Sequence, residues 1–211
     1  MLIEIFSDAV CPWCYLGKRR FERALAQRPD LDVQVRWLPF ELNSAMPEGG
    51  LPRQQYLSEK FGDPKVLVDS QVRLTALGRE IGIDYQFERI ALSANTRAAH
   101  ALGLIAEQAG CQDAVQEAVF RAYFEEGRDI GSLDTLVAIA GAAGLDEVTV
   151  RTRLASRADY AAVEQLERQG QAAGVSGVPF FVFNRKYALS GAQDEATFLK
   201  VLDHVAGLPD G

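Results

Sequence analysis

Two cysteines separated by two residues are the feature of the sequence that points most directly to chemistry. Cys11 and Cys14 enclose Pro12 and Trp13 near the N-terminus. At this spacing a disulfide can close across the first turn of a helix, where unpaired N–H groups and the positive end of the helix dipole favour a thiolate. The thiolate is the attacking form, so we predict that Cys11 is the nucleophile. Cys14, one turn further into the helix, is predicted to resolve the mixed disulfide.

A second segment, near the C-terminus, fits the same chemistry. Pro179 stands at the first position of a predicted strand, where proline is tolerated. A cis bond before it would turn the backbone N–H and C=O of Val178 toward an extended substrate, whereas a trans proline would only begin an edge strand. Both alternatives stay open from the residues alone. We predict that Pro12, Trp13, Val178 and Pro179 contact the substrate.

Composition limits the kind of site and the kind of protein. The chain of 211 residues is 48% hydrophobic, enough to bury a core, and carries a formal net charge of -7. That charge argues against broad attraction to nucleic acid or to anionic membranes. A zinc site is not expected, because Zn²⁺ normally takes four ligands and Cys111, His100 and His204 are the remaining cysteine and histidines. We predict no metal and no tightly bound cofactor.

The N-terminal residues and the distribution of cysteines indicate the compartment. Residues 1–8 carry an acid within their only apolar run and have no basic start, so they do not resemble a signal peptide. Three unevenly spaced cysteines are not the framework of a secreted disulfide protein. The sequence predicts a cytoplasmic protein that meets protein or small-molecule thiols and disulfides and a cellular thiol reductant.

The hydrophobic pattern predicts elements that place both segments. Residues 2–6 form a short buried strand, residues 12–27 a helix and residues 33–38 a half-buried strand. Helical patterns fill residues 51–174, and a hairpin over 179–190 precedes a last helix over 194–206. The fold class is therefore α/β, in the order β-α-β, helical insertion, β-β-α. We predict one domain from residues 1–45 and 175–211, interrupted by an all-helical domain of residues 46–174.

With these segments in place, the sequence resembles the DsbA-like thioredoxin superfamily, and most closely its FrnE-type cytosolic branch. The resemblance implies a thioredoxin fold with a helical insertion, a cis bond before Pro179, and dithiol–disulfide oxidoreductase or isomerase activity. It covers nearly the whole chain and is carried by FSDAVCPWCYLGK (residues 6–18), WLPFELN (37–43), SANT (93–96) with AH (99–100), and SGVPFFV (176–182).

The same resemblance extends to the kappa-class glutathione transferases and the 2-hydroxychromene-2-carboxylate isomerases. These relatives usually hold serine at the active-site position and activate a bound glutathione, so Cys11 and Cys14 favour redox chemistry instead. Asn43 and the turn at Ser190 and Gly191 leave a glutathione site open. Glutathione is thus a candidate co-substrate, and a glutathione-dependent isomerase or transferase acting on an aromatic small molecule is the alternative function.

Two further side chains are candidates for supporting roles. Glu4 lies in the first predicted strand, and an unpaired interior carboxylate there could relay a proton to Cys14. Exposure at a sheet edge or a lysine partner would explain Glu4 equally well. His100 lies in a predicted helix, where a structural role is the more common one for histidine.

Overall fold

The N-terminal part of the chain forms a β-α-β unit that carries the cysteine pair. In the computed structural model, which describes residues 1–207, strand β1 (Leu2–Ser7) pairs in parallel with strand β2 (Gln34–Pro39). Helix α1 (Pro12–Leu25) connects them and begins with proline, whose missing N–H would have no helical partner at this position. The chain therefore leaves the sheet at the end of β1 and enters the helix at Cys11.

The segment between β2 and the C-terminal strands is mostly helical. In chain order it contains β3 (Leu51–Pro52), α2 (Arg53–Phe61), α3 (Pro64–Glu80), a 3₁₀ turn (Phe87–Arg89), β4 (Leu92–Ser93), α4 (Arg97–Gln108), α5 (Gln112–Phe124), α6 (Leu133–Ala142), α7 (Glu147–Ser156) and α8 (Tyr160–Ala172). The predicted all-helical insertion is wrong in one detail, because β3 and β4 pair as a short antiparallel sheet. Arg157 takes a left-handed conformation with φ 58° at the end of α7 and separates it from α8.

The C-terminal part returns to the sheet. Strand β5 (Phe180–Phe183) runs antiparallel to β1, strand β6 (Tyr187–Ser190) runs antiparallel to β5, and helix α9 (Glu195–Ala206) follows. The strand order is β2-β1-β5-β6. Asn184 and Arg185 both have positive φ, which closes the predicted hairpin turn. The arrangement is a thioredoxin fold with a helical insertion, as the sequence predicts.

Two apolar cores meet at α1. On one sheet face, Ile5 and Phe181 pack with Phe21 of α1 and with Phe198 of α9. The first turns of α1 belong instead to the core of the helical segment, where Tyr15 stacks on Phe120 of α5 with ring centroids 5.1 Å apart. The cysteine pair therefore lies where the thioredoxin part and the helical segment pack together.

The predicted domain boundaries at residues 45/46 and 174/175 stay predictions, and residues 208–211 of the predicted 175–211 segment lie outside the described residues. Within residues 1–207, no helix combines the length and the apolar character that crossing a membrane requires.

Candidate active site

The two cysteines lie one helical turn apart at the start of α1. Cys11 precedes the first helical residue, and its backbone N–H donates to the Asp8 carbonyl at 3.0 Å. The N–H of Cys14 donates to the Cys11 carbonyl at 3.0 Å, which begins the helical hydrogen-bonding pattern. Both thiols are free in this structure. The spacing therefore produces the juxtaposition that a reversible disulfide needs.

Both thiols are buried, but Cys11 lines a cavity and Cys14 does not. Cys11 is 4% exposed and Cys14 is fully buried. Burial raises the pKa of Cys14 well above its ordinary value, and the hydrogen bond and charge of Cys11 raise it further. Hydrogen bonds from the Ser7 side chain and the Asp8 backbone act to lower the pKa of Cys14 but do not offset the burial. Cys14 is thus held as a protonated thiol.

The second predicted segment faces the first cysteine. The Cys11 thiol donates to the Val178 carbonyl with a sulfur–oxygen distance of 3.8 Å, and the Val178–Pro179 peptide bond is cis. The Gly191 N–H donates to the Pro179 carbonyl at 2.8 Å, which ties this segment to the end of β6. The Cys11 thiol makes no capping hydrogen bond to α1, so its sulfur lies against Val178 rather than among free helix N–H groups.

A cavity of about 300 Å³ opens beside Cys11. Its walls come from the loop before α1, the segment after β2, and helices α2 and α3. Five of the predicted site residues line this cavity: Cys11, Pro12, Trp13, Asn43 and Val178. Asn43 also accepts the Ala45 N–H with its side-chain oxygen, which holds a turn in the cavity wall.

The residues between the cysteines are anchored from the helical segment. The Tyr85 hydroxyl donates to the Pro12 carbonyl at 2.6 Å, and the buried Tyr85 ring packs edge-on to Tyr15. Trp13 is half-buried, and the Arg73 guanidinium of α3 lies 5.7 Å from its ring centroid. The helical segment therefore determines the shape of the cavity around the cysteines.

Glu4 lies away from this cavity. Its carboxylate is 3.3 Å from the Arg185 guanidinium and 3.5 Å from that of Arg36. All three line a separate cavity of about 560 Å³ on the sheet face next to α8. Glu4 therefore has the cationic partner that the sequence allows, although the partners are arginines rather than a lysine, and it has no contact with Cys14.

His100 reaches the site through a residue that the sequence did not single out. Its Nε2 atom lies 3.4 Å from Oδ1 of Asp8, and Asp8 lines the cavity beside Cys11. The Asp8 carboxylate is almost fully buried, at 1% exposure, and its Oδ2 accepts the Leu42 N–H at 2.7 Å. One feature of the sequence could have identified Asp8 as a site residue: it lies three residues before Cys11, at the end of a buried strand.

Potential metal ligands are spread apart in the part of the chain that the structure describes. Among residues 1–207, no three histidine, cysteine, aspartate or glutamate side chains come together as metal ligands would. Cys111 lies at the start of α5, half-buried and remote in sequence from the pair. The cysteine pair beside its cavity is the candidate site for dithiol chemistry.

Comparison with known proteins identifies similar chains. The family model described as "DSBA-like thioredoxin domain" matches residues 2–203. A crystal structure of a probable DsbA oxidoreductase from Streptomyces coelicolor is 34% identical with a TM-score of 0.92, covering 100% of this chain and 92% of that one. The uncharacterised protein YwbO of Bacillus subtilis is 28% identical over 202 residues, 95% of this chain and 94% of its own. The cytosolic disulfide reductase DsbM of Pseudomonas aeruginosa, solved with GSH, is similar in fold at 19% identity and a TM-score of 0.69, covering 99% and 100% of the two chains.

Proposed function

Because this chain belongs to the family of DsbA-like thioredoxin domains, we propose that it is a thiol–disulfide oxidoreductase that works through a Cys11–Cys14 dithiol–disulfide cycle. The observation that carries the proposal is the approach of the Cys11 sulfur to the Val178 carbonyl beside an open cavity. A substrate sulfur bound in that cavity would meet Cys11 next to backbone groups of Val178 that can align an extended chain.

The proposed cycle balances over two exchange steps. The Cys11 thiolate attacks one sulfur of a substrate disulfide, which forms a mixed disulfide and expels the other substrate sulfur as a thiolate that takes up a proton. Cys14 then gives up its proton and attacks the Cys11 sulfur. This step closes the Cys11–Cys14 disulfide and releases the second substrate thiol. The substrate gains two electrons, and a thiol reductant restores the protein dithiol by the reverse exchange.

The raised pKa of Cys14 supports this division of roles. A buried, protonated Cys14 cannot compete with Cys11 for the incoming disulfide, and it becomes reactive when the mixed disulfide has brought a sulfur within reach. Trp13, Pro12 and Val178 would contact the substrate from the cavity wall. A cytoplasmic location, with protein or small-molecule disulfides as substrates and a cellular thiol as reductant, is part of the proposal and is supported by the cytosolic relative DsbM.

Two substrates and two variants test the proposal. Reduction of insulin disulfides with dithiothreitol tests a protein substrate, and oxidation of the reduced protein by 2-hydroxyethyl disulfide tests a small one. We expect Cys11→Ser to reduce both activities to background. Cys111→Ser is the matched control and should keep the wild-type rates. Equal activity of Cys11→Ser and wild type would overturn the proposal.

A glutathione-dependent isomerase or transferase is the second candidate. The volume of the cavity, about 300 Å³, is at the lower end of the range for small-molecule sites, and Asn43 lies in its wall. This candidate predicts saturable glutathione binding by calorimetry, and turnover of an aromatic substrate that survives Cys14→Ser. An absence of glutathione binding at about 10 mM, well above a millimolar dissociation constant, would exclude it.

A further inference from the structure

Asp8 connects three parts of the site through its side chain. Its Oδ2 atom accepts the Leu42 N–H from the cavity wall, and its Oδ1 atom lies 3.4 Å from Nε2 of His100 in α4. The second contact is at ion-pair distance but is not an aligned hydrogen bond, so attraction between charges is its main component. A carboxylate this deeply buried requires a counter-charge. His100 is positioned to supply it.

The backbone of the same residue contacts both cysteines. The Asp8 carbonyl accepts the Cys11 N–H at 3.0 Å, and a backbone hydrogen bond of Asp8 acts on the Cys14 thiol. A shift of the Asp8 side chain would therefore move the segment that holds the two sulfurs. Small displacements of reacting groups are known to slow reactions strongly.

The charges around His100 come from four parts of the structure. Asp8 faces it from the loop before α1, Glu41 from the segment after β2, and Glu167 from α8. Arg97, one turn earlier in α4, pairs with Glu41 at 2.9 Å. The side toward α5 contributes the neutral amides of Gln112 and Gln116. Arg97 also lies 3.4 Å from Glu164 of α8. Four carboxylates therefore share two cationic groups, and only while His100 is protonated.

We infer that Asp8 and protonated His100 act as one positioning unit, which holds the active-site loop in its reactive geometry and makes disulfide exchange depend on a histidine that contacts neither sulfur. The inference rests on the proposed function of Cys11 and Cys14. His100 is a positioning residue in this scheme, since it acts through Asp8.

The direction of the pH effect follows from the surroundings of His100. Burial lowers the pKa of His100, but Asp8 and the two glutamates raise it, and the result lies above the ordinary value of 6.5. As pH rises through this raised pKa, His100 loses its charge and Arg97 is the cation left among Asp8, Glu41, Glu164 and Glu167. Exchange rates rise with pH as thiolate forms. Loss of the His100 charge lowers the exchange rate. The plot of rate against pH should therefore bend downward at the pH where His100 titrates.

The test compares a rate profile with a direct titration. The probe is 2-hydroxyethyl disulfide, a neutral disulfide, and the oxidation of the reduced protein is followed by stopped-flow tryptophan fluorescence from about pH 5 to about pH 9. The chain has two histidines, so NMR resolves His100 from His204, and His204→Gln assigns the signals. We expect the bend in the wild-type rate profile to coincide with the His100 titration.

Two neutral substitutions remove the charges one at a time. His100→Gln and Asp8→Asn should each lower the rate below the bend on the order of tenfold and abolish the bend. The double variant should be no slower than Asp8→Asn alone, because each residue acts through the other. His204→Gln, on the exposed side of α9, is the matched control and should keep the wild-type profile.

The outcomes separate this inference from the proposed function. If Cys11→Ser reacts as fast as wild type, the proposed function fails, whatever the histidine titration shows. If Cys11 is required but the bend persists in His100→Gln, or a folded Asp8→Asn leaves the His100 titration unmoved, the inference is wrong. If neither variant folds, the wild-type comparison still decides, because a rate profile without a bend at the His100 titration contradicts it.

Discussion

The Cys11 sulfur lies 3.8 Å from the Val178 carbonyl oxygen, although 167 positions separate the two residues in the chain. The antiparallel pairing of β1 with β5 explains this approach. Phe6 near the end of β1 is paired with Phe180 at the start of β5, so the loop that leaves β1 and the segment that enters β5 meet at one edge of the sheet. The sheet register thus brings the two chemical motifs together.

The first prediction concerns Cys14. In Cys14→Ser, attack by Cys11 on a disulfide should still form the mixed disulfide, but the internal thiol that resolves it is gone. Resolution then depends on an external thiol and loses the advantage of proximity, so the adduct should persist on the order of 100-fold longer. Intact-protein mass spectrometry after reaction with 2-hydroxyethyl disulfide measures this, with Cys111→Ser as the control. An equally short-lived adduct in Cys14→Ser would contradict the resolving role.

The second prediction uses the close approach of α1 to the Pro179 segment. A Cβ atom on Gly17 would lie 3.0 Å from Cγ of Pro179 and 3.4 Å from the Ala192 backbone. Gly17→Ala should gain about 1 kcal/mol of helix propensity and lose a similar amount to crowding, so the free energy of unfolding should change little. The displaced Pro179 segment should slow exchange about tenfold.

Gly103→Ala is the matched control for Gly17→Ala. It lies in α4, and beyond its chain neighbours and the backbone of its own helix no atom lies within 4 Å of the added Cβ. This variant should gain about 0.5–1 kcal/mol of stability and keep the wild-type rate. Urea unfolding and stopped-flow exchange on both variants check the pair of expectations. A full exchange rate in Gly17→Ala would show that the position of Pro179 does not limit the reaction.

The third prediction concerns a lysine buried beside the site. Lys18 is 2% exposed, forms an ion pair with Glu22, and lies 3.3 Å from Asp113 and 3.2 Å from Glu117 of α5. Lys18→Met should cost about 1–3 kcal/mol, because it removes a buried cation that contacts three carboxylates, although Arg19 still pairs with Glu117. Lys65→Met, which removes an exposed pair, should cost less than about 1 kcal/mol. Urea unfolding of both variants measures the contrast, and equal losses would contradict it.

Local patterns in the sequence were sufficient for much of the fold. The proline at the start of α1 and the alternation in β2 placed the cysteines at the junction of a strand and a helix. The apolar run of β5 and the turn at Asn184 gave the C-terminal hairpin. These features depend on residues that are close in the chain, which is why periodicity and turn preferences detect them.

Contacts between distant residues were beyond such patterns. The partners of Glu4 could not be identified, because Arg185 lies 181 positions away. The burial of Asp8 and its approach to His100 depend on how α4 packs against the active-site loop. A charged residue at a strand end is usually exposed, so only the packed structure distinguishes Asp8 from an ordinary loop aspartate.

The fourth prediction is that the Asp8–His100 pair makes stability depend on pH. Since the pKa of His100 is raised in the folded protein, its stabilising contribution is complete below about pH 6.5, the ordinary value, and is lost as pH rises through the folded pKa. A tenfold difference in proton affinity between folded and unfolded protein corresponds to about 1.4 kcal/mol.

Urea unfolding of the reduced protein at about pH 6 and about pH 8.5 should show this loss of stability in wild type and in His204→Gln. The loss should be absent in His100→Gln, because glutamine carries no charge at either pH. Cys14, whose pKa is raised by burial, adds its own loss of stability only as pH reaches the unfolded thiol value of about 8.5. That loss is common to wild type and His100→Gln, so the difference between the two proteins isolates His100. An unchanged pH dependence in His100→Gln would mean that His100 does not carry the charge that Asp8 requires.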